Sequence, residues 1–343
     1  MIKIGVIGSS NIAERRMIPA ILKESSFEYI GVAISTKEEM GFAGTDEEFE
    51  PVRLHKIEKA NRFKETFGGK VFNSYKSLLT DENVDAIYIA LPPALHYQWA
   101  KIAINNKQNI ILEKPFTIKK ELTEDLINDA KKNDVAVIEN YGFCYHEQMN
   151  IIKEKIDNGI IGDIRLVRAT FGFPHRDNKD FRYDKELGGG ALLDAGGYTI
   201  KAATTVLGLD LDVTSSSGII TEGHEVDMMG TTSLMRKDGV CAQLAYGMDN
   251  YYRCELEIWG SKGLIMAPRI FTAPDGFEAT VIIKDGQNII EKTAKDDQFQ
   301  RIVSKFEECI NSNKTREDVM DEIIVQSALV EKTRTMNNES EII

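Results

Sequence analysis

"IKIGVIGSSNIA", residues 2–13, decides the fold: an apolar run ends in glycine, and a short polar turn leads into a helical stretch. Residues 2–8 read as a strand, and a helix is expected from about Asn11 to Glu24. A turn that holds phosphate between a strand and a helix needs three small residues. One makes the tight bend, one lets the backbone approach the phosphate, and one lets the helix pack. Gly8 and Ala13 suit the first and third places, and Ser10 stands where a second glycine is usual. Its hydroxyl can donate to a phosphate oxygen at the helix N-terminus. Ser9, Asn11 and Ile12 complete the candidate turn. The bland alternative is a strand-to-helix turn with no ligand; its place at the head of a long α/β pattern favours a dinucleotide.

That pattern extends outward from the turn. "YIGVAIS" (29–35), "VDAIYIALP" (84–92), "NIILEKPF" (109–116) and "DVAVIENYGF" (134–143) read as strands, with helices expected at 56–68, 95–106 and 119–132. Apolar strands alternating with helices of about a dozen residues imply a parallel sheet covered on both faces. After about residue 150 the runs become longer and β-rich, beginning with "IRLVRATFGF" (164–173), and two of them carry Lys-Asp-Gly turns. From Gln298 to near Asn337 the chain reads as helical again. The expected fold is α/β: an N-terminal Rossmann domain with a doubly wound parallel sheet, then a C-terminal α/β domain on a large, open, mostly antiparallel sheet. The expected boundaries are 1–125 for the dinucleotide domain and 126–325 for a substrate and oligomerisation domain. A last helix, 326–343, is expected to return to the first.

Composition narrows the function classes. The 343 residues carry a net charge of -12, which argues against a nucleic-acid surface. No run approaches the roughly 18 apolar residues of a membrane span, and "MIKIGVIG" enters a strand with no charged-then-apolar leader, so a cytoplasmic protein is expected. Cys144, Cys241, Cys254 and Cys309 show no C-x-x-C spacing, and the five histidines form no metal-ligand motif. Reduced thiols and no metal are the expectation.

Ligands of open α/β sheets sit beyond the C-terminal ends of the strands. Strand two ends in Ser35, Thr36 and Lys37. Hydroxyls and a cation there suit a phosphorylated ribose, so NADP is preferred over NAD, although six carboxylates crowd residues 38–50. Leu91, Pro92 and Pro93 end a later strand with His96 a turn on, and Glu113, Lys114 and Pro115 end the next. A lysine beside a nicotinamide can give a proton to a carbonyl oxygen while hydride reaches the carbon. Alternatively, Lys114 is a surface lysine and His96 a helix-start residue bonded to backbone. In "FRYDKELGGGALLDAGGY" (181–198), Gly188, Gly189 and Gly190 permit a close turn before a helix. Asp194 and Tyr198, four apart, then share a helix face. They suit a sugar hydroxyl or a proton relay; a capped helix entry is the alternative.

Taken in order, "IGVIGSSNIA", "KANRF", "ALPPALHYQWA", "ILEKPF", "LGGGALLDAGGY" and "IWGSKGLI" resemble the Gfo/Idh/MocA oxidoreductases nearly end to end. "SSNIAERRMIPAI" and "FRYDKELGGGALLDAGGY" look most like its NDP-sugar 3-ketoreductases and glucose-fructose oxidoreductases, which carry a tyrosine at position 198 where inositol dehydrogenases have histidine. The resemblance implies hydride transfer between nicotinamide and a sugar hydroxyl or ketone. It makes Lys114 the acid/base, with Tyr198 by the carbonyl and Asp194 orienting the site. Arg182, Tyr141, Tyr145 and His146 are candidate substrate contacts, with core or hinge roles open for the last three. A homodimer or homotetramer is implied as well. Two alternatives stay open: an enzyme of a free sugar, cyclitol or diol, and a cofactor-binding regulator without turnover.

Overall fold

The computed structural model describes residues 1–286 and 288–339. The chain forms two compact units. The first comprises Met1–Phe116, Glu121–Asn140 and Ile302–Asp321; the second comprises Thr117–Lys120, Tyr141–Arg301 and the residues from Glu322 on.

In the first unit, strands β1 (Ile2–Ile7), β2 (Phe27–Ala33), β3 (Lys70–Phe72), β4 (Ala86–Ile89), β5 (Asn109–Leu112) and β6 (Val137–Glu139) form one sheet. Its order is β3-β2-β1-β4-β5-β6, with every pair parallel. The central strands are apolar on both faces: Ile4, Val6, Ile7, Ile87, Tyr88 and Ile89 are fully buried. Helices α1 (Ile18–Lys23), α2 (Lys37–Met40), α3 (Asp46–Phe67), α4 (Tyr75–Leu79), α5 (His96–Asn105) and α6 (Lys120–Asn133) connect the strands. The strand order reverses between β1 and β4, and this switch opens a crevice beyond their C-terminal ends.

The acidic stretch after β2 opens two helices. Thr36 and Thr45 each accept a bond from the amide three residues on, Glu39 and Glu48, whose carboxylates return to the threonine amides. These two capping boxes start α2 and α3, so α3 begins ten residues before the expected 56.

The second unit is built on a sheet ordered β14-β13-β12-β11-β7-β10-β9-β8. Its strands are β7 (Ile164–Gly172), β8 (Leu211–Ile219), β9 (Met229–Arg236), β10 (Cys241–Gly247), β11 (Arg253–Gly260), β12 (Gly263–Ala267), β13 (Glu278–Asp285) and β14 (Asn288–Lys295). Neighbours are antiparallel except β7 and β10. Helices α7 (Glu147–Asp157) and α8 (Gly197–Leu207) pack on this sheet, and α9 (Gln298–Asn311) and α10 (Asn313–Glu339) follow it. Burial alternates with the pleat: on β11, Cys254, Leu256 and Ile258 are buried while Glu257 and Trp259 face outward.

The unit limits differ from the expected boundaries. Residues 126–140 belong to the first unit because β6 pairs with β5. The segment that rejoins the first unit is 302–321, where Phe306 stacks on Phe27 and Ser304 donates to Glu24. Residues 326–339 group instead with the second unit: Gln326 donates to the Gly197 carbonyl at 2.8 Å and Ser216 to Asn337 at 2.5 Å.

Candidate active site

The turn after β1 is shaped to receive phosphate. Gly8 has φ +90°, and a Cβ there would lie 2.8 Å from the Ala90 carbonyl oxygen, so a side chain would push β1 off β4. Ser10 caps the helix that follows: its hydroxyl accepts from the Ala13 amide at 3.1 Å. That bond leaves the hydroxyl hydrogen to donate outward. Ser9 and Ser10 are half-buried, Asn11 and Ile12 exposed, and Ala13 buried under the helix. A helix start aimed from the sheet's switch point, with small residues at the bend, fits the pyrophosphate of a dinucleotide.

The three residues expected to meet the ribose are placed differently. Ser35 is 2% exposed, and its hydroxyl accepts from Lys56 Nζ at 2.9 Å. Thr36 spends its hydroxyl and amide on the α2 capping box, and Lys37 Nζ lies 2.7 Å from Asp46. The carboxylates that crowd this region in sequence have local tasks. Glu39 accepts from the amides of Thr36, Tyr75 and Lys76, Glu48 closes a cap, and Glu50 pairs with Arg53.

The polar letters of "ILEKPF" leave β5 into a turn held from three sides. The Glu113 carboxylate oxygen Oε1 accepts from Tyr88 Oη at 2.5 Å and from Asn140 Nδ2 at 2.6 Å, drawing on strands β4 and β6. Burial pushes the Glu113 pKa up, and these two donors act against that rise. Glu139 accepts from the Phe116 amide at 2.7 Å. His96 contacts the Pro115 carbonyl through Nδ1 (2.8 Å) and the Leu91 carbonyl through Nε2 (2.9 Å). It is fully buried, which holds its pKa below the usual histidine value, with the two carbonyls opposing. His96 therefore ties the Leu91 turn to the Lys114 turn, the structural alternative, and is not placed to touch a ligand. Lys114 is half-buried in the middle of the held turn, Leu91 and Pro92 are half-buried beside it, and Pro93 is buried.

The second unit carries the other candidates. Tyr198 is half-buried, its ring packed among Tyr141 (5.0 Å between centroids), Phe171 (5.1 Å), Phe271 (5.7 Å) and Phe143 (5.9 Å). Five residues of π-helix, Leu192–Gly196, precede α8, so Asp194 and Tyr198 are separated by a widened turn rather than lying on one regular α-helix. Asp194 is paired: Arg182 Nε donates to it at 2.6 Å, and Arg182 Nη1 donates to Asp180 at 3.0 Å. Burial works against the Arg182 charge, but the two carboxylates hold its pKa above the usual arginine value. Tyr141 is 1% exposed, so it supports Tyr198 from below and is not placed to contact a substrate. His146 is fully buried and caps α7, accepting from Gln148 N at 3.1 Å; Tyr145 packs against the core.

Four residues that support these candidates carried no signal in the sequence: Lys56, Tyr88, Asn140 and Asp227. Asp227 accepts from the Leu192 amide at 2.7 Å at the head of the helix that bears Asp194 and Tyr198. Gly190, at φ +116°, admits it, since a Cβ there would lie 2.4 Å from Asp227 Oδ1. Among the described residues there is no group of three or more His, Cys, Asp or Glu side chains that could hold a metal, and no helix is long and apolar enough to cross a membrane. All four cysteines are free thiols.

Residues 2–141 match the family described as "Oxidoreductase family, NAD-binding Rossmann fold", and residues 149–266 match the "GFO/IDH/MocA C-terminal domain". The chain is 32% identical over 336 residues to a dTDP-3,4-didehydro-2,6-dideoxy-alpha-D-glucose 3-reductase of Actinomadura kijaniata, covering 97% of this chain and 95% of that one. It is 31% identical over 338 residues to the enzyme of that name from Saccharopolyspora spinosa, with 96% of each chain covered. Among solved structures it is similar to KijD10, a 3-ketoreductase from Actinomadura kijaniata crystallised with NADP and TDP-benzene, at TM-score 0.87 and 31% identity over 97% of both chains.

Proposed function

Because the chain belongs to the GFO/IDH/MocA family of oxidoreductases, we propose that it reduces the ketone of a nucleotide-linked keto sugar with NADPH, Lys114 giving the proton. That it is an NAD(P)-dependent oxidoreductase follows from the family and its 3-ketoreductase relatives. The substrate and the residue roles are our reading. The observation that carries it is the Lys114 turn, tied to three neighbouring structures by Glu113, Glu139 and His96. A plain surface lysine needs no such scaffold; an acid that must meet one oxygen does.

The bound nicotinamide would supply hydride to the carbonyl carbon. The turn after β1 would hold the pyrophosphate at Gly8, Ser9, Ser10 and the helix start, and Leu91 and Pro92 would lie along the dinucleotide. Lys114 would give its proton to the carbonyl oxygen as charge develops there. Glu113, its carboxylate fixed by Tyr88 and Asn140, would keep the lysine at one position. Tyr198 would donate to the sugar: its ring is locked by four aromatic neighbours, so its hydroxyl has little freedom to lose on binding. Asp194 and Arg182, bound to each other, would stiffen the turn that faces the sugar.

In this reading the first unit is the dinucleotide domain and the second holds the sugar and joins subunits, in a cytoplasmic homodimer or homotetramer. The register supports the last point. Met235, Cys241, Leu166, Trp259 and Leu264 lie opposite one another in a row across the outward sheet face, with Met235 40% and Trp259 53% exposed. Apolar exposure of that kind suits a second copy.

The test is nicotinamide consumption by the purified protein. Nucleotide-linked 3-keto sugars would be offered with NADPH and NADH, and free sugars, cyclitols and diols with the oxidised forms. Turnover of the nucleotide-linked ketone with NADPH is expected; turnover confined to free sugars or cyclitols would overturn the substrate, and turnover of none would point to the regulator.

A further inference from the structure

Three cations at intervals of three along α3 reach the dinucleotide turn and its flanks. Lys56 Nζ donates to Ser35 at 2.9 Å, Lys59 Nζ to Asn11 at 2.7 Å, and Arg62 pairs with Glu14 at 2.6 Å. Side chains spaced by three share one helix face, so α3 lies with this stripe along the β1 turn and the end of β2. Its upper end is the informative one. Ser35 stands two residues beyond β2, the place where a carboxylate grips the ribose diol of an unphosphorylated dinucleotide. Here a small hydroxyl takes that place, with an ammonium behind it.

We infer that Lys56, bracketed by Ser35, is the cation that recognises the 2′-phosphate of the dinucleotide and so selects NADP over NAD. Lys37, which the sequence offers for this task, starts α2 and pairs with Asp46. Lys59 is engaged with Asn11 at the phosphate turn, and Arg62 with Glu14. Lys56 has three ammonium hydrogens, and Ser35 takes one of them. Its stem is half-buried, and burial alone lowers its pKa, so a dianion arriving there would gain the attraction of a partly desolvated cation. The capping boxes matter here as well. They turn the Glu39 and Glu48 carboxylates onto the backbone amides of Thr36 and Thr45.

The inference rests on the reading that the first unit binds a nicotinamide dinucleotide, and the test separates the two. Calorimetry on the full chain would measure NADP⁺ against NAD⁺, and the fragments 2′,5′-ADP against 5′-AMP. Lys56→Met keeps the stem and removes the charge. It is expected to weaken NADP⁺ and 2′,5′-ADP by about tenfold or more, the scale of one such charge pair, and to leave NAD⁺ and 5′-AMP within about twofold. Lys56→Arg should restore the preference, which excludes damage to the helix as the cause, and Lys37→Ala should keep the ratio. The inference is overturned if Lys56→Met retains the preference, or if Lys37→Ala is the variant that abolishes it. Equal binding of NAD⁺ and NADP⁺ by the unaltered protein would overturn the assignment but leave the dinucleotide site standing. Binding of neither would overturn both.

Discussion

At the scale of single residues, Lys114 depends on the neighbours that hold its turn. Replacing Lys114 with alanine removes the proposed donor and nothing from the dinucleotide turn. Turnover should fall by about 10²–10⁴, the usual worth of a positioned acid, while NADP⁺ affinity measured by calorimetry stays within about threefold. The residues behind it make a separate prediction. Asn140→Ala strips one of two donors from a buried carboxylate, so stability by denaturant titration should drop by about 1–3 kcal/mol. Asn140→Asp should cost more, because it sets a second carboxylate within hydrogen-bond distance of Glu113. A loss below 0.5 kcal/mol for both would show that Glu113 does not depend on this bond. None of this was legible in "ILEKPF" alone. The sequence marks Glu113 and Lys114 as leaving a strand, but Tyr88 and Asn140 come from other strands and meet Glu113 only when β4, β5 and β6 pair.

At the scale of elements, the helix carrying Tyr198 depends on its first turn. Asp227 arrives from the connection between β8 and β9 to cap it, and burial pushes its pKa up to about 6. A carboxyl whose folded pKa lies above its unfolded value near 4 favours the folded state when protonated. That contribution is complete below pH of about 4 and fades as pH rises through about 6. Thermal midpoints of the unaltered protein and Asp227→Asn, compared across that window, should therefore converge at low pH and separate in the variant's favour as pH rises. Parallel curves would contradict the assignment. Asp227→Ala loses the cap itself and should cost about 1 kcal/mol or more at low pH, a cost that shrinks as pH rises through about 6. Element type was readable wherever periodicity was strong, as in β1, α5 and β7. In the stretch after β2, charge density masks a signature that is present: Thr36 with Glu39, and Thr45 with Glu48, are both Thr-x-x-Glu helix starts.

At the scale of the whole molecule, the two sheet types were legible because a buried parallel strand is apolar throughout and a one-sided antiparallel strand alternates. The segment that returns to the first unit was not. Residues 302–321 do so through long-range contacts such as Phe306 on Phe27, and nothing in a single sequence pairs residues that far apart. The outward row of the large sheet gives a prediction at this scale. Trp259→Glu would put a charge in the apolar row, and light scattering should show dissociation to a smaller species with the fold intact by circular dichroism. An unchanged mass would place any subunit contact elsewhere. The claim that joins all three scales is hydride transfer to a sugar ketone with Lys114 as acid. Its most direct test uses NADPH carrying deuterium at the transferable C4 position and a dTDP-linked 3-keto sugar, with the product read by mass spectrometry. The account predicts one deuterium on the former carbonyl carbon, formed by the unaltered protein and nearly absent with Lys114→Ala. Product without deuterium, or equal labelling by the variant, would contradict it.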